Sequence, residues 1–254
     1  MPANEIFTPT IVLPSSQSNQ PNQIASWSHF VGFLLLMAGT AALGFHAQHT
    51  ASATAQGATG QLAGHSKAIS IYFVAALMDW ALLYYCWAGV HHRGGTLRTL
   101  SGGRWASWPA AARDILIVVP FWGIWEGTAY LVSRLLGPSS AKTVDSLLPG
   151  SVLEILLWTG VSITAGVCEE LAFRGYVQQQ IHALTKSLWL AVILQAMIFG
   201  IAHAYQGWKQ VVVITVLGIL YGGLAAWRKN LTANIIAHAC TDVWEGWLKF
   251  VVWR

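Results

Sequence analysis

Seven apolar runs, each near twenty residues, recur along the chain at about 27–45, 69–90, 114–136, 151–171, 188–205, 210–227 and 231–252. A run of roughly 20 apolar residues is long enough to cross a bilayer as a helix. Inside lipid a backbone must satisfy its own hydrogen bonds, so spanning segments are helices or closed barrels. The alternating pattern of a membrane barrel is absent. The runs therefore predict an all-α, polytopic transmembrane bundle of about seven helices, with six to eight as the range. Charge content agrees. Only 9% of the 254 residues are charged, against about 25% in a soluble domain, too few to cover a water-facing surface. The 14 tryptophans suit membrane interfaces.

Between the runs the chain is polar. Residues 1–26 carry Pro, Ser, Asn and Gln but no Lys or Arg, which predicts a disordered tail rather than a signal peptide. Residues from about Ala47 to Ser66 read as a flexible loop. We divide the remainder into N-terminal membrane helices, 27–150, and a C-terminal membrane domain, 151–254. Basic residues set the orientation. Arg93, Arg98, Arg104 and Arg113 follow the second run, and Arg228 and Lys229 follow the sixth. Both loops are expected in the cytoplasm, and with them the amino terminus. The net charge of +4 fits anionic lipid, and no basic block suggests nucleic acid. Cys86, Cys168 and Cys240 read as small buried hydrophobes, not as a disulfide frame or zinc ligands.

Ionisable side chains inside the runs need a reason, because a charge at mid-bilayer costs at least about 2.5–3.5 kcal/mol. They are Asp79, Glu126, Glu154, Glu169, Glu170, Arg174, His203, His238, Asp242 and Glu245. In CEELAFRGY, Glu170 and Arg174 are four apart, share a helix face and can pair. Glu169 points about 100° away, lacks that partner and suits proton transfer. His203 ends the run FGIAHA. In NIIAHACTD, Asn234, His238 and Asp242 line one face, an imidazole with a carboxylate to orient it. Each segment alone also fits a structural role: a solvated helix end, a core histidine, or a polar stripe joining helices.

Together they say more. A turn near Lys186 puts Glu169 seventeen residues before it and His203 seventeen after it. In an antiparallel pair both then lie about 25 Å from the turn, provided the first helix continues to about Leu184. Simple counting leaves His238 offset by about two to three turns. One carboxylate and two imidazoles in a membrane cavity suggest two chemistries. Glu169, His203 and His238 can hold a divalent metal such as zinc, with water in an open position. Alternatively Glu169 acts directly as base on water, with His203, His238 and Asp242 stabilising the oxyanion. Both hydrolyse an acyl bond. No HExxH is present, and nothing in the sequence requires a metal.

The three segments resemble, in order and spacing, the motifs of the CAAX protease and bacteriocin-processing (abortive-infection) family. EELAFRG is similar to its EExxxR motif, FGIAH to FxxxH and HACTD to HxxxN/D, with Asp242 where type II CAAX prenyl endopeptidases usually have Asn. The resemblance covers about residues 151–245. It implies an intramembrane endopeptidase of glutamate or metalloprotease type. Glu169 would be its water-activating base, Glu170 and Arg174 the base's partners, and His203, His238 and Asp242 the rest of the site. The expected substrate is a peptide or lipidated protein, prenylated in the CAAX case, met in lipid and without nucleic acid. The expected location is a bacterial inner membrane. Two other classes compete. A proton- or ion-coupled transporter would show an internal repeat, which the chain lacks. A silent scaffold or immunity protein would tolerate loss of Glu169, His203 and His238, all of which are present.

Overall fold

The computed structural model describes residues 23–54, 61–103, 107–137 and 148–252, and among these there is no strand. Helices run from Trp27 to Thr54 (α1), Gln61 to His91 (α2), Leu97 to Ser101 (α3), Trp108 to Leu136 (α4) and Val152 to Thr185 (α5). Leu188 to Ala202 (α6), Trp208 to Arg228 (α7) and Thr232 to Val252 (α8) complete the bundle. Seven of these answer to the seven apolar runs. Five, α1, α2, α4, α5 and α7, contain a stretch long and apolar enough to cross a membrane. α6 is short at 15 residues, and α8 carries Asp242, Glu245 and Lys249.

Two expectations are corrected. The stretch 47–66 is helical wherever it is described, extending α1 to Thr54 and starting α2 at Gln61. Its Ala, Gln and Thr side chains tolerate a helix. Most of the polar tail, residues 1–22, lies outside the described residues. The described end of that tail is held in place. Gln180 accepts from the backbone N–H of Ile24 at 3.0 Å and of Ala25 at 3.1 Å, and donates to the carbonyl of Ala25 at 3.1 Å. Cys86 and Cys168 are buried as expected, whereas Cys240 faces outward.

The core joins both halves of the chain. Phe30 and Phe33 of α1 and Leu83 and Cys86 of α2 share one buried cluster with Phe173 and Tyr176 of α5. His29 Nδ1 hydrogen-bonds the Tyr176 hydroxyl at 3.0 Å. Small residues let α6 and α7 approach closely. A Cβ on Gly218 would meet Ala196 at 2.9 Å, and one on Gly222 would meet Gln195 at 2.6 Å. The second such pair, Gly123 and Gly127 of α4, has nothing within 4 Å.

One end of the bundle gathers the turns that carry basic residues. There the α7–α8 turn is tied to α3: Leu231 donates its N–H to the Ser101 carbonyl at 3.0 Å, and Leu231 is buried. Arg228 at the end of α7 pairs with buried Asp114 near the start of α4. Exposed Trp27, Trp108, Trp189 and Trp227 sit at the helix ends around this level, as expected of interfacial tryptophan.

Candidate active site

α5 does not stop at residue 171. It continues through a π-helical segment, Glu170–Gln178, and ends at Thr185. Lys186 then takes a left-handed conformation with φ 59°, and Ser187 caps α6 by accepting the N–H of Leu190. This is the turn the spacing required. Phe173 and Phe199, each 13 residues from Lys186, pack ring to ring with centroids 4.8 Å apart. That register brings the end of α6 level with Glu169 and Glu170. π-segments interrupt helices most often at functional sites, and this one holds two of the expected residues. All nine of its residues are buried.

Glu170 is the hub. It is fully buried, accepting from Arg174 Nη1 at 2.8 Å and from Asn234 Nδ2 at 3.1 Å. His238 Nδ1 lies 2.8 Å from the same carboxylate. A carboxylate only accepts, so Nδ1 of His238 carries a proton. Asn234 also donates to the carbonyl of Tyr221 at 2.8 Å. The Arg174 guanidinium lies over the rings of Phe199, 4.4 Å from its centroid, and Tyr221, at 5.2 Å. Counter-charge and aromatic faces together make this buried cation tolerable.

The other edge of His238 is different. Its Nε2 lies 3.8 Å from Glu169 Oε2 and 3.7 Å from Asp242 Oδ2. These distances are too long for direct hydrogen bonds and suit a water held between the groups. Among the described residues the Glu169 carboxylate makes no hydrogen bond, and its side chain keeps 16% of its surface exposed against 0% for Glu170. Asp242 is also partly open, at 31%.

The offset expected for His238 closes in three dimensions: α8 packs directly on α5, so tightly that a Cβ on Gly166 would meet Ala239 at 2.9 Å. His203 follows the last residue of α6. Its Nδ1 lies 2.9 Å from the Phe199 carbonyl, which can only accept, so Nδ1 is protonated and Nε2 is left for other partners. The Phe199 ring stands edge-on to both imidazoles, 4.9 Å from His203 and 6.2 Å from His238. Glu169, Glu170, Arg174, His238 and Asp242 thus form one charged cluster, and His203 packs on the same phenyl ring as His238, with no direct hydrogen bond to the cluster among the described residues.

Three contributors carry no role in the sequence reading. Asn234 holds Glu170, and its spacing from His238 was the available signal. Asp79 of α2 lies within electrostatic range of Glu169, His238 and Asp242. A lone carboxylate in the run FVAALMDWALLYY was its signal, but only the packing of α2 on α5 shows what it faces. Phe199, whose ring meets both imidazoles, enters the sequence reading only as the first letter of FGIAH, with no role given to it.

Among the described residues no three of His, Cys, Asp and Glu are grouped as ligands for a metal ion. No curated protein and no solved structure matches the chain. Residues 151–244, from the N-cap of α5 to the middle of α8, do match a family model, described as type II CAAX prenyl endopeptidase Rce1-like. The stretch that assembles the buried cluster, with EELAFRG, FGIAH and HACTD in order, is therefore similar to the Rce1-like type II CAAX prenyl endopeptidases that its motifs resemble.

Proposed function

We propose that this integral membrane protein is an endopeptidase that cuts peptide bonds of membrane-associated proteins, prenylated CAAX-type proteins among them. Glu169 is its general base. The observation that carries this reading is the contrast between adjacent glutamates. Glu170 is spent on Arg174, His238 and Asn234, whereas Glu169 is partly open, makes no hydrogen bond to a described residue and faces Nε2 of His238.

A water held by Glu169 Oε2, His238 Nε2 and Asp242 Oδ2 attacks the scissile carbonyl carbon, and its proton passes to Glu169. The carbonyl oxygen becomes an oxyanion, which a protonated Asp242 stabilises by donating a hydrogen bond, while Nε2 of His203 accepts from the new hydroxyl of the tetrahedral intermediate. Asp242 in its carboxyl form donates as the family's usual Asn does. Collapse breaks the C–N bond, and Glu169 returns the proton to the leaving amine. Glu170, Asn234 and Arg174 are positioning residues that fix the tautomer and angle of His238. No step passes through a metal.

The reaction takes place at a site between membrane helices. Arg93, Arg98, Arg228 and Lys229 share one end of the bundle, and the positive-inside rule makes that end cytoplasmic, with the amino terminus beside it. A bacterial inner membrane is the setting this reading adopts. The test is cleavage of a quenched peptide library by the detergent-purified protein, comparing wild type with Glu169→Ala and His203→Ala. Loss of cleavage in both variants is expected. Equal cleavage by all three removes the catalytic assignment.

A further inference from the structure

A second polar feature lies on the far side of Arg174 from Glu170. At the basic end of the bundle a cavity of about 310 Å³ opens between α3, the end of α5 and the α7–α8 turn. Ser101, Gln179, His182, Lys229 and Asn230 line its outer part. Arg174 and Gln178, exposed by only 1% and 5%, line its inner part. No carboxylate is among the lining residues. Arg174 spends Nη1 on Glu170, but its Nε and Nη2 make no hydrogen bond to any described residue, and neither does Oε1 of Gln178. A buried guanidinium with two nitrogens unpartnered is costly, and its planar fork of N–H groups matches a phosphate or carboxylate.

We propose that this cavity binds the phosphate headgroup of an anionic membrane lipid. The charge selects the anion: Lys229 and His182 meet no carboxylate within the lining, and Arg174, already paired with Glu170, brings two N–H-bearing nitrogens without a described partner. The depth selects the lipid. Trp27, Trp108, Trp189 and Trp227 mark the interfacial level at this same end, where headgroups sit. The apolar side of the cavity selects it again. Leu188 lines the cavity and is 40% exposed, next to exposed Trp189, so a bound headgroup has an apolar surface beside it for its acyl chains. Free inorganic phosphate offers the same anion without that apolar contact. The site is distinct from the gap between Glu169 and His238, and the proposal does not depend on the endopeptidase reading.

The test uses the full chain in detergent, with binding read by native mass spectrometry and by the thermal unfolding midpoint. Titrants are phosphatidylglycerol in mixed micelles, phosphatidylcholine in the same micelles, and inorganic phosphate alone. We expect phosphatidylglycerol to bind at least about fivefold more tightly than phosphatidylcholine, from about one Lys or Arg contact at the membrane surface. Lys229→Gln should reduce that preference by about fivefold, Lys229→Arg should retain it, and His182→Gln should weaken it independently. All three variants should melt as wild type in phosphatidylcholine. Equal affinity for the two lipids overturns the proposal, as does an undiminished preference in both Lys229→Gln and His182→Gln. Full stabilisation by inorganic phosphate alone overturns the lipid as the source of the anion.

Discussion

Replacing two adjacent glutamates one at a time separates chemistry from architecture. Glu170→Gln removes the only counter-charge paired with Arg174, a cation that is 1% exposed. Breaking a buried ion pair from one side costs about 3–5 kcal/mol, because the remaining charge is stranded. Glu169→Gln removes a carboxylate whose nearest cationic partner is the His238 ring at 3.8 Å and whose side chain is 16% exposed. A pair that long and that open contributes at most about 1 kcal/mol. Its loss as a general base should nevertheless lower kcat by about 10²–10⁴-fold. The assay is a thiol-reactive dye followed during unfolding in detergent, run beside peptide cleavage. Cys86 and Cys168 are buried and report unfolding, while exposed Cys240 is first replaced by Ser to clear the background. Glu169→Gln should melt with the wild type and fail to cleave, whereas Glu170→Gln should melt well below it. Cleavage by Glu169→Gln above a tenth of the wild-type rate would refute the assignment of the base. A Glu170→Gln protein that melts with the wild type would refute the buried ion pair as the hub of the site.

Three further outcomes follow from the same geometry. Because no three side chains among the described residues are grouped as metal ligands, cleavage should persist after treatment with a strong divalent chelator; activity lost on chelation and restored by zinc would reverse that reading. Asn234→Ala deletes the bonds to Glu170 and to the Tyr221 carbonyl, and leaving those buried acceptors short of a donor should cost about 1–3 kcal/mol, measured by the same unfolding assay. Gly166→Ala places a Cβ 2.9 Å from both the Cβ and the backbone N of Ala239. The helices must part, at about 1–3 kcal/mol, and cleavage should fall because α8 carries His238. Unchanged activity in that variant would show that the α5–α8 contact does not set the site.

Sequence alone was enough for the class of fold and for the identity of most of the charged cluster. Low charge and repeated apolar runs leave a membrane bundle as the economical solution, since lipid-exposed backbone must bond to itself. Glu170 and Arg174 were legible as a pair because helical spacing is a local property, and the depth of Glu169 against His203 followed from counting along two helices joined by one turn. What local rules could not supply was decided in three dimensions. Counting misplaced His238, because the packing of α8 on α5 rests on contacts between residues about seventy positions apart, such as Glu170 with His238 and Gly166 with Ala239. It left Asp79 without a role, because only the packing of α2 on α5 puts that carboxylate beside the site. Nor did it place the Phe199 ring edge-on to both imidazoles. Residue types and helical periods are written in the chain; the direction in which each polar group finds its partner depends on how the helices close around it.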